Sequence, residues 1–285
     1  MRIALHSALT NTGRLDEVVA EVRRTAEYGL AGYWAALVAG QDALTVLALA
    51  GREAPGIELG TAVVPMPLRP PFALAQQAST VQEAVGGRLR LGIGTSHEAI
   101  VTRLGEPWPP PLPTARRYLA DLAVAMGRVA HPAPVLLGAV NPAMVALAAA
   151  AATGVVTWAA GVRTIREVVL PALAERTDPG PFRVVASLPV CVTDDEAAAR
   201  AYIDKALGAN DRFPSYQKVL RREGASGVAA LSLVGSRDAV LRQLDAFEAC
   251  GVTDFGAHPT VANERDAERT WELLAERAAG SAQDR

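Results

Sequence analysis

The sequence predicts an α/β protein of the (β/α)8, or TIM, barrel class, and three observations carry that expectation. Eight short apolar runs alternate with longer segments of helical period from one end of the chain to the other. The runs are apolar almost throughout, as in parallel strands covered on both faces. The 285 residues fit a barrel, which typically spans roughly 250. A doubly wound open sheet shares the same alternation and stays a rival at this level.

The elements follow in order. Arg2–His6 reads as a first strand rather than a signal peptide, because the apolar stretch reaches a polar residue at once. Leu15–Tyr28 carries Leu15, Val18, Val19, Val22 and Ala26 on one side of a helix that Gly29 closes. Gly32–Leu37 is the second strand, and Gln41-Asp42 caps a helix running to Glu53. Ile57–Val64 is the third strand, stopped by Pro65 and Pro67, and Pro71–Val85 is a helix ending at Gly86-Gly87.

Leu89–Gly94 makes the fourth strand, and His97–Leu104 opens the helical segment after it. A proline-rich loop, Pro107–Pro113, leads to a helix over Ala115–Met126. Strand five is Pro134–Gly138, followed by helix Pro142–Ala152, and strand six is Val155–Trp158 with helix Thr164–Glu175 behind it. Arg183–Cys191 is strand seven, and Thr193-Asp194 caps the next helix. Helical text continues through Lys218–Glu223 and Ser236–Ala249; Thr253–Ala257 is strand eight, and Asn263 caps a last helix, Glu264–Ala279. No linker or shift in composition divides the chain, which implies one barrel over residues 1–280 and a fraying polar tail at 281–285.

Composition narrows the function. Half the residues are apolar, 20% are charged and the formal net charge is −2, which gives no electrostatic footprint for nucleic acid or an anionic membrane. No apolar run reaches membrane-spanning length unbroken, so a cytoplasmic enzyme with a small-molecule substrate is expected. Cys191 and Cys250 are too few for a disulfide framework, and no histidine has ligand spacing, so no metal is expected. Neither a Gly-x-Ser-x-Gly elbow nor a P-loop is present.

In such a barrel the chemistry sits on the loops after the strands. Gly60–Pro67, with Ala62, Val63, Val64 and Met66, reads as a stiff wall able to back a flat ring, or simply as a core strand ended by proline. Gly92-Ile93-Gly94 permits close backbone approach, while Thr95, Ser96 and His97 bring donors to a helix start, where a phosphate or ribityl chain could lie. A third glycine is missing for a dinucleotide fingerprint. Gly138, Ala139 and Val140 lead to Asn141 as N-cap and Pro142 at the first helical position, an anion site or an ordinary capped helix. His97 is a candidate proton donor, or a satisfied half-buried ring; His6 is placed similarly, and His131 and His258 read as surface loop residues.

Several ordered stretches carry a resemblance: Asp42–Thr45, Glu58–Pro65, Gly86–Gly94 with His97, Pro134–Ala139, Leu188–Asp195, Pro214–Tyr216, Arg222–Gly224 and Gly251–Phe255. In this order they make the chain resemble the luciferase-like monooxygenase superfamily, in particular its actinobacterial branch that uses the deazaflavin coenzyme F420. The resemblance implies a non-prolyl cis peptide at Ala62–Val63 against the ring, with Val64 and Met66 on the same face. It implies that Thr95, Ser96 and His97 lie near the ring and its polar chain, and that Gly138 to Pro142 lie along the tail and phosphate. It further implies hydride transfer between the deazaflavin and a small organic substrate, with catalytic His97 or water as proton partner; an apolar pocket without clustered Lys and Arg makes reduction of a C=C or C=N bond in a secondary metabolite the preferred direction. A homodimer through helices near strands two and three is implied too. Reduced FMN in a monooxygenase, or a cofactor-free binding protein, are the alternatives. The chain departs from the pattern in a shortened insertion before strand five, where only Gly127–Pro132 remains, in Leu37-Val38 where relatives carry a polar pair, and in Thr153-Gly154 before strand six. These departures point to an open pocket.

Overall fold

The computed structural model describes residues 1–178 and 180–283. The strands and helices in chain order are β1 Arg2–Ser7, α1 Leu15–Glu27, β2 Gly32–Ala35, α2 Ala43–Glu53, β3 Glu58–Thr61, β4 Val64–Pro65, α3 Pro71–Ala84 and β5 Leu89–Gly94. Next come α4 Glu98–Arg103, α5 Pro111–Met126, β6 Val135–Gly138, α6 Pro142–Ala151, β7 Gly154–Trp158, α7 Val162–Thr164 and α8 Leu170–Ala174. The chain finishes with β8 Arg183–Val192, α9 Glu196–Leu207, α10 Pro214–Glu223, α11 Val228–Leu231, β9 Leu233–Gly235, α12 Arg237–Ala249, β10 Asp254–Pro259 and α13 Glu264–Gln283.

All strand pairings are parallel, and they close a ring. The order runs β1, β2, β3, β5, β6, β7, β8, β10 and back to β1, where Ile3 pairs with Phe255. That is an eight-stranded (β/α)8 barrel, and closure removes the open-sheet rival. β4 continues the path of β3 after a break and pairs with β5, Val64 opposite Ile93. β9 lies outside the ring, against the far end of β8.

Alternation along the strands sorts side chains into two cores. Outward residues such as Ile3, Leu5, Leu59, Leu91 and Leu137 join helix residues in the main core. Inward ones form stacked layers. Arg2, Glu58, Arg90, Arg183 and Asp254 fill the end where the strands begin, held by ion pairs: Arg2 and Arg90 each reach Glu58 at 2.5 Å, and Arg183 reaches it at 3.0 Å. Arg183 also donates from Nε to Asp254 at 2.6 Å. Above them Ala4, Trp34, Leu136, Val156 and Val185 form an apolar middle layer. The Trp34 ring occupies the space that a side chain at Gly60 would need.

The differences from the sequence expectation are local. The third strand is not continuous over Ile57–Val64 but breaks at Ala62-Val63. The helix expected from Ala115 starts at Pro111, since proline suits a first turn whose N–H groups have no partners. Between α7 and α8, Ile165–Val169 forms a π-helical stretch. The cap of α9 is Asp195, which accepts from Ala198 N–H, one residue beyond the expected Thr193-Asp194. β9 was not anticipated, because three residues carry no periodicity. α13 continues through Ser281 to Gln283 in place of the tail expected from Ser281, and Asp284 and Arg285 lie outside the described residues. Asp42 and Asn263 cap as expected, accepting from Thr45 and Asp266 N–H. Both cysteines are buried and unpaired.

Candidate active site

The loops at the C-terminal ends of the strands build one mouth with two unlike sides. On the first side the Ala62–Val63 peptide is cis, as expected, and both residues pack on the apolar middle layer. Val63 spreads over two bare backbones: a Cβ on Gly94 would stand 2.6 Å from Val63 Cγ2, and one on Gly138 would stand 3.3 Å from both Val63 methyls. The wall from β3 to β6 is therefore smooth and without charge. Val64 and Met66 are 0% and 2% exposed and belong to the main core, so they back this wall and do not line it.

Thr95, Ser96 and His97 follow on, each partly exposed. Ser96 has φ of 64° and Ala159, after β7, has φ of 53°; among the described residues these are the non-glycine positions with left-handed backbone. Both lie at strand ends, where such strain gathers at functional sites. His97 occupies the N-cap of α4 without a capping hydrogen bond. Its ring stacks on Phe213, centroids 3.9 Å apart and planes 9° from parallel, with Tyr216 at 5.2 Å. Burial pulls the His97 pKa down to about 4, so the ring is neutral at physiological pH.

Asn141 stands at the N-cap of α6 with Pro142 behind it, but its side chain does not cap the helix. Its amide donates to the Ser215 carbonyl at 3.4 Å, and its Oδ1, like Ser215 Oγ, is buried with no partner among the described residues. Ala139 and Val140 are buried, and Val140 groups with Ala160, Val219 and Tyr216. α10 is fastened over these loops: Arg222 donates to the Val140 carbonyl at 3.2 Å, and Thr164 N–H donates to Glu223 at 2.7 Å. The structure thus brings Thr95–His97 and Gly138–Pro142 together beneath Phe213–Tyr216. The open pocket expected from the short segment before β6 is in this way partly roofed from α10. Phe213 was not found from sequence, since one aromatic before a proline carries no spacing signal.

The opposite side of the mouth holds groups that sequence reading placed elsewhere or passed over. His258 is not on a surface loop: β10 runs on to Pro259, and the ring turns inward. It stands 5.8 Å from His6 and 5.5 Å from Trp158, while His6 and Trp158 are 4.9 Å apart. His258 Nδ1 lies 2.8 Å from the His6 carbonyl. Ser187, fully buried on β8, points its hydroxyl to the same space, and neither Ser187 Oγ nor His6 Nδ1 has a partner. Burial lowers the pKa of both rings, that of His6 to about 3 with a contribution from His258. Trp158 and Ser187 missed attention because they read as ordinary strand residues.

Two surface clefts lie away from the mouth, one lined by Arg52, Glu83 and Arg88, the other by Arg2, Arg183 and Glu248. Their residues come from helix ends and strand starts, whereas the left-handed residues Ser96 and Ala159 and the unpartnered atoms of His6, Asn141, Ser187 and Ser215 mark the mouth. Among the described residues no group of His, Cys, Asp and Glu stands close enough to hold a metal ion, and no helix is long and apolar enough to cross a membrane.

A closed parallel barrel with left-handed residues and the unpartnered atoms of His6, Asn141, Ser187 and Ser215 at the ends of its strands has the layout of a barrel enzyme. The chain belongs to the luciferase-like monooxygenase family, whose profile matches residues 2–254, and with that family it is an oxidoreductase. It is 29% identical, over 75% of its length and 82% of the relative's, to a Mycobacterium tuberculosis protein provisionally named a coenzyme F420-dependent oxidoreductase. In fold it is similar to the coenzyme F420-dependent tetrahydromethanopterin reductase of Methanopyrus kandleri, with a TM-score of 0.80 and 16% identity over 98% of this chain and 99% of the other. It is also similar to the oxygenating constituent of 3,6-diketocamphane monooxygenase of Pseudomonas putida, solved with FMN, with a TM-score of 0.74 and 17% identity over 98% of each chain. At these identities the two structures show the shared fold.

Proposed function

We propose that this protein is an F420-dependent oxidoreductase acting on a small organic substrate, with a C=C or C=N bond of a secondary metabolite as the group reduced. The observation that carries the reading is the Val63 wall. A side chain flattened over two glycines offers a smooth uncharged face for a ring, and Thr95, Ser96 and His97 supply polar atoms at its edge. The relative from Mycobacterium tuberculosis supports the deazaflavin over other rings.

The residues present fit such a group. Ala62 and Val63 would back the ring, with Val64 and Met66 holding that segment from behind. Asn141 Oδ1 and Ser215 Oγ are buried acceptors or donors awaiting a partner, at the loop Gly138–Pro142 that would lie along the polar tail. When bound, the deazaflavin supplies a hydride donor or acceptor, chemistry that side chains lack. His97, neutral and held flat by Phe213, keeps both ring nitrogens in a fixed plane and is the proposed proton partner. Phe213 and Tyr216 at the start of α10 cover one side of the His97 ring.

Exposed Leu49 on α2 and Phe72 on α3, with Leu68 between them in sequence, support a homodimer through this face. The buried unpaired thiols suit a reducing compartment, so we place the protein in the cytoplasm. Titration of the purified protein with oxidised deazaflavin, followed by its difference spectrum, tests the central reading. Saturable deazaflavin binding with weak or no FMN binding is expected. FMN binding alone would move the protein to the reduced-FMN monooxygenases, and binding of neither ring would make it a cofactor-free binding protein.

A further inference from the structure

The second side of the mouth has a polarity that the hydride reading does not use. A carbonyl oxygen only accepts, so at 2.8 Å from the His6 carbonyl the His258 Nδ1 must carry the hydrogen. Burial keeps the ring neutral, which leaves Nε2 as a bare lone pair. His6, 4% exposed, and Ser187, 0% exposed, belong to the same inward cluster, and their Nδ1 and Oγ have no partner among the described residues. Buried polar atoms are rarely left so, because desolvation without a partner is unfavourable.

A missing side chain lets Ser187 and His6 approach each other here. A Cβ on Gly256 would collide with Ser187 Oγ and approach His6 Cβ to 3.3 Å. Ser187, Gly256 and the strand carrying His6 are neighbours in the barrel: Gly256 pairs with Ser187 and with Ala4, and Trp158 pairs with Ser187. The partly exposed Trp158 ring closes the triangle with the two histidines and adds a flat apolar surface. No charged side chain takes part in this cluster, and both imidazoles are neutral.

We propose that His258, His6, Ser187 and Trp158 form the substrate's oxygen site, which selects a neutral organic molecule bearing a hydroxyl group. The hydroxyl hydrogen is donated to His258 Nε2, the hydroxyl oxygen is met by Ser187 Oγ or His6, and the apolar body lies along Trp158. The inference rests on the mouth being the substrate end of an oxidoreductase barrel, and it names the substrate class for that site. An ether or hydrocarbon of the same shape leaves the His258 lone pair unmet, which is how the site discriminates.

The test uses the full chain labelled with 15N, and cyclohexanol with methoxycyclohexane as probes. Long-range 1H–15N spectra of the histidine rings, assigned with His258→Phe and His6→Phe, report each nitrogen's protonation. The wild-type protein is expected to show His258 as the Nδ1–H tautomer, with the Nε2 signal moving on addition of cyclohexanol and not of the ether. His258→Phe is expected to weaken cyclohexanol binding about tenfold, the worth of one hydrogen bond, and to leave ether binding unchanged. Ser187→Ala, which needs no repacking, is expected to weaken the alcohol in the same sense. A hydrogen on His258 Nε2, an equal response to alcohol and ether, or no response up to the solubility of cyclohexanol would overturn the proposal; the unmet atoms would then be satisfied by internal water. The spectra need no cofactor. A His258 response without deazaflavin binding leaves this site standing and removes the cofactor assignment, and the reverse result removes this site alone.

Discussion

Val63 and Gly94 are fitted to each other: a Cβ on Gly94 would stand 2.6 Å from Val63 Cγ2, inside van der Waals contact. The smoothness of the wall therefore depends on a residue in a different strand from the one that forms it. Gly94→Ala should displace Val63 toward the mouth at an overpacking cost of about 1–3 kcal/mol. The expected result is a folded protein with a lower melting temperature and at least tenfold weaker deazaflavin affinity by fluorescence titration. Unchanged affinity would show that the ring lies elsewhere.

Gly60 and Trp34 make the same bargain one layer lower, away from the proposed cofactor. Here the Trp34 ring fills the lumen over Gly60, and no other position in the middle layer is as bulky. Gly60→Ala should destabilise the barrel by about 1–3 kcal/mol or more, because the clash is with a rigid ring that has nowhere to turn. In the double variant with Trp34→Leu the loss should be less than the sum of the two single losses, as expected for residues in contact. Urea unfolding of the four proteins checks it; strict additivity would contradict the packing described.

The alternation of apolar and helical text was enough to read the barrel, because parallel strands buried on both faces leave a strong and repeated pattern. The break at Ala62-Val63 and the roles of Thr95–His97 came from ordered resemblance, since residue types there are equally those of plain core. What escaped was whatever depends on direction. His258 sits before a proline, which reads as a loop, yet β10 runs on to Pro259, opposite Val190, and the ring turns inward. Trp158 and Ser187 are strand residues whose inward parity is fixed only by register with neighbours far away in sequence. The three arginines and two acids at the other end are charged residues in strand text, and only barrel closure puts Arg183 within reach of Glu58, 125 residues earlier.

That charged layer makes a prediction about acid. Burial pushes the Glu58 carboxyl up, but hydrogen bonds and charge from Arg183 and Arg2 more than reverse it, and its pKa falls below the usual 4.5. A carboxyl whose pKa is lowered by folding contributes stability in full above its unfolded value and loses it as the pH falls through the folded one. Glu58→Gln takes away the carboxylate that Arg90 reaches and leaves Arg2 and Arg183 with Asp254, and should cost about 3–5 kcal/mol at pH 7, at the lower end because Glu58 is 17% exposed. The difference between variant and wild type should shrink below pH 4.5, measured by denaturant midpoints across that range.

His97 titrates in a higher window and with a different consequence. Its pKa moves from 6.5 in the unfolded chain to about 4 in the folded one because burial disfavours the cation. Its contribution to stability is therefore complete above pH 6.5 and is lost as the pH falls from there toward 4. His97→Gln should make that part of the stability profile shallower, leaving the share of His6 and His258, whose pKa burial also lowers, and the part set by Glu58. Turnover with the deazaflavin should separate the structural role from the chemical one. A proton partner that is neutral throughout gives no inflection of its own between about pH 5 and 8, and its loss in His97→Ala should lower kcat by about 10²–10⁴-fold. If His97 only supports Phe213, the same variant would lose stability and cofactor affinity with kcat at saturation nearly intact, and the proton would then have to come from water.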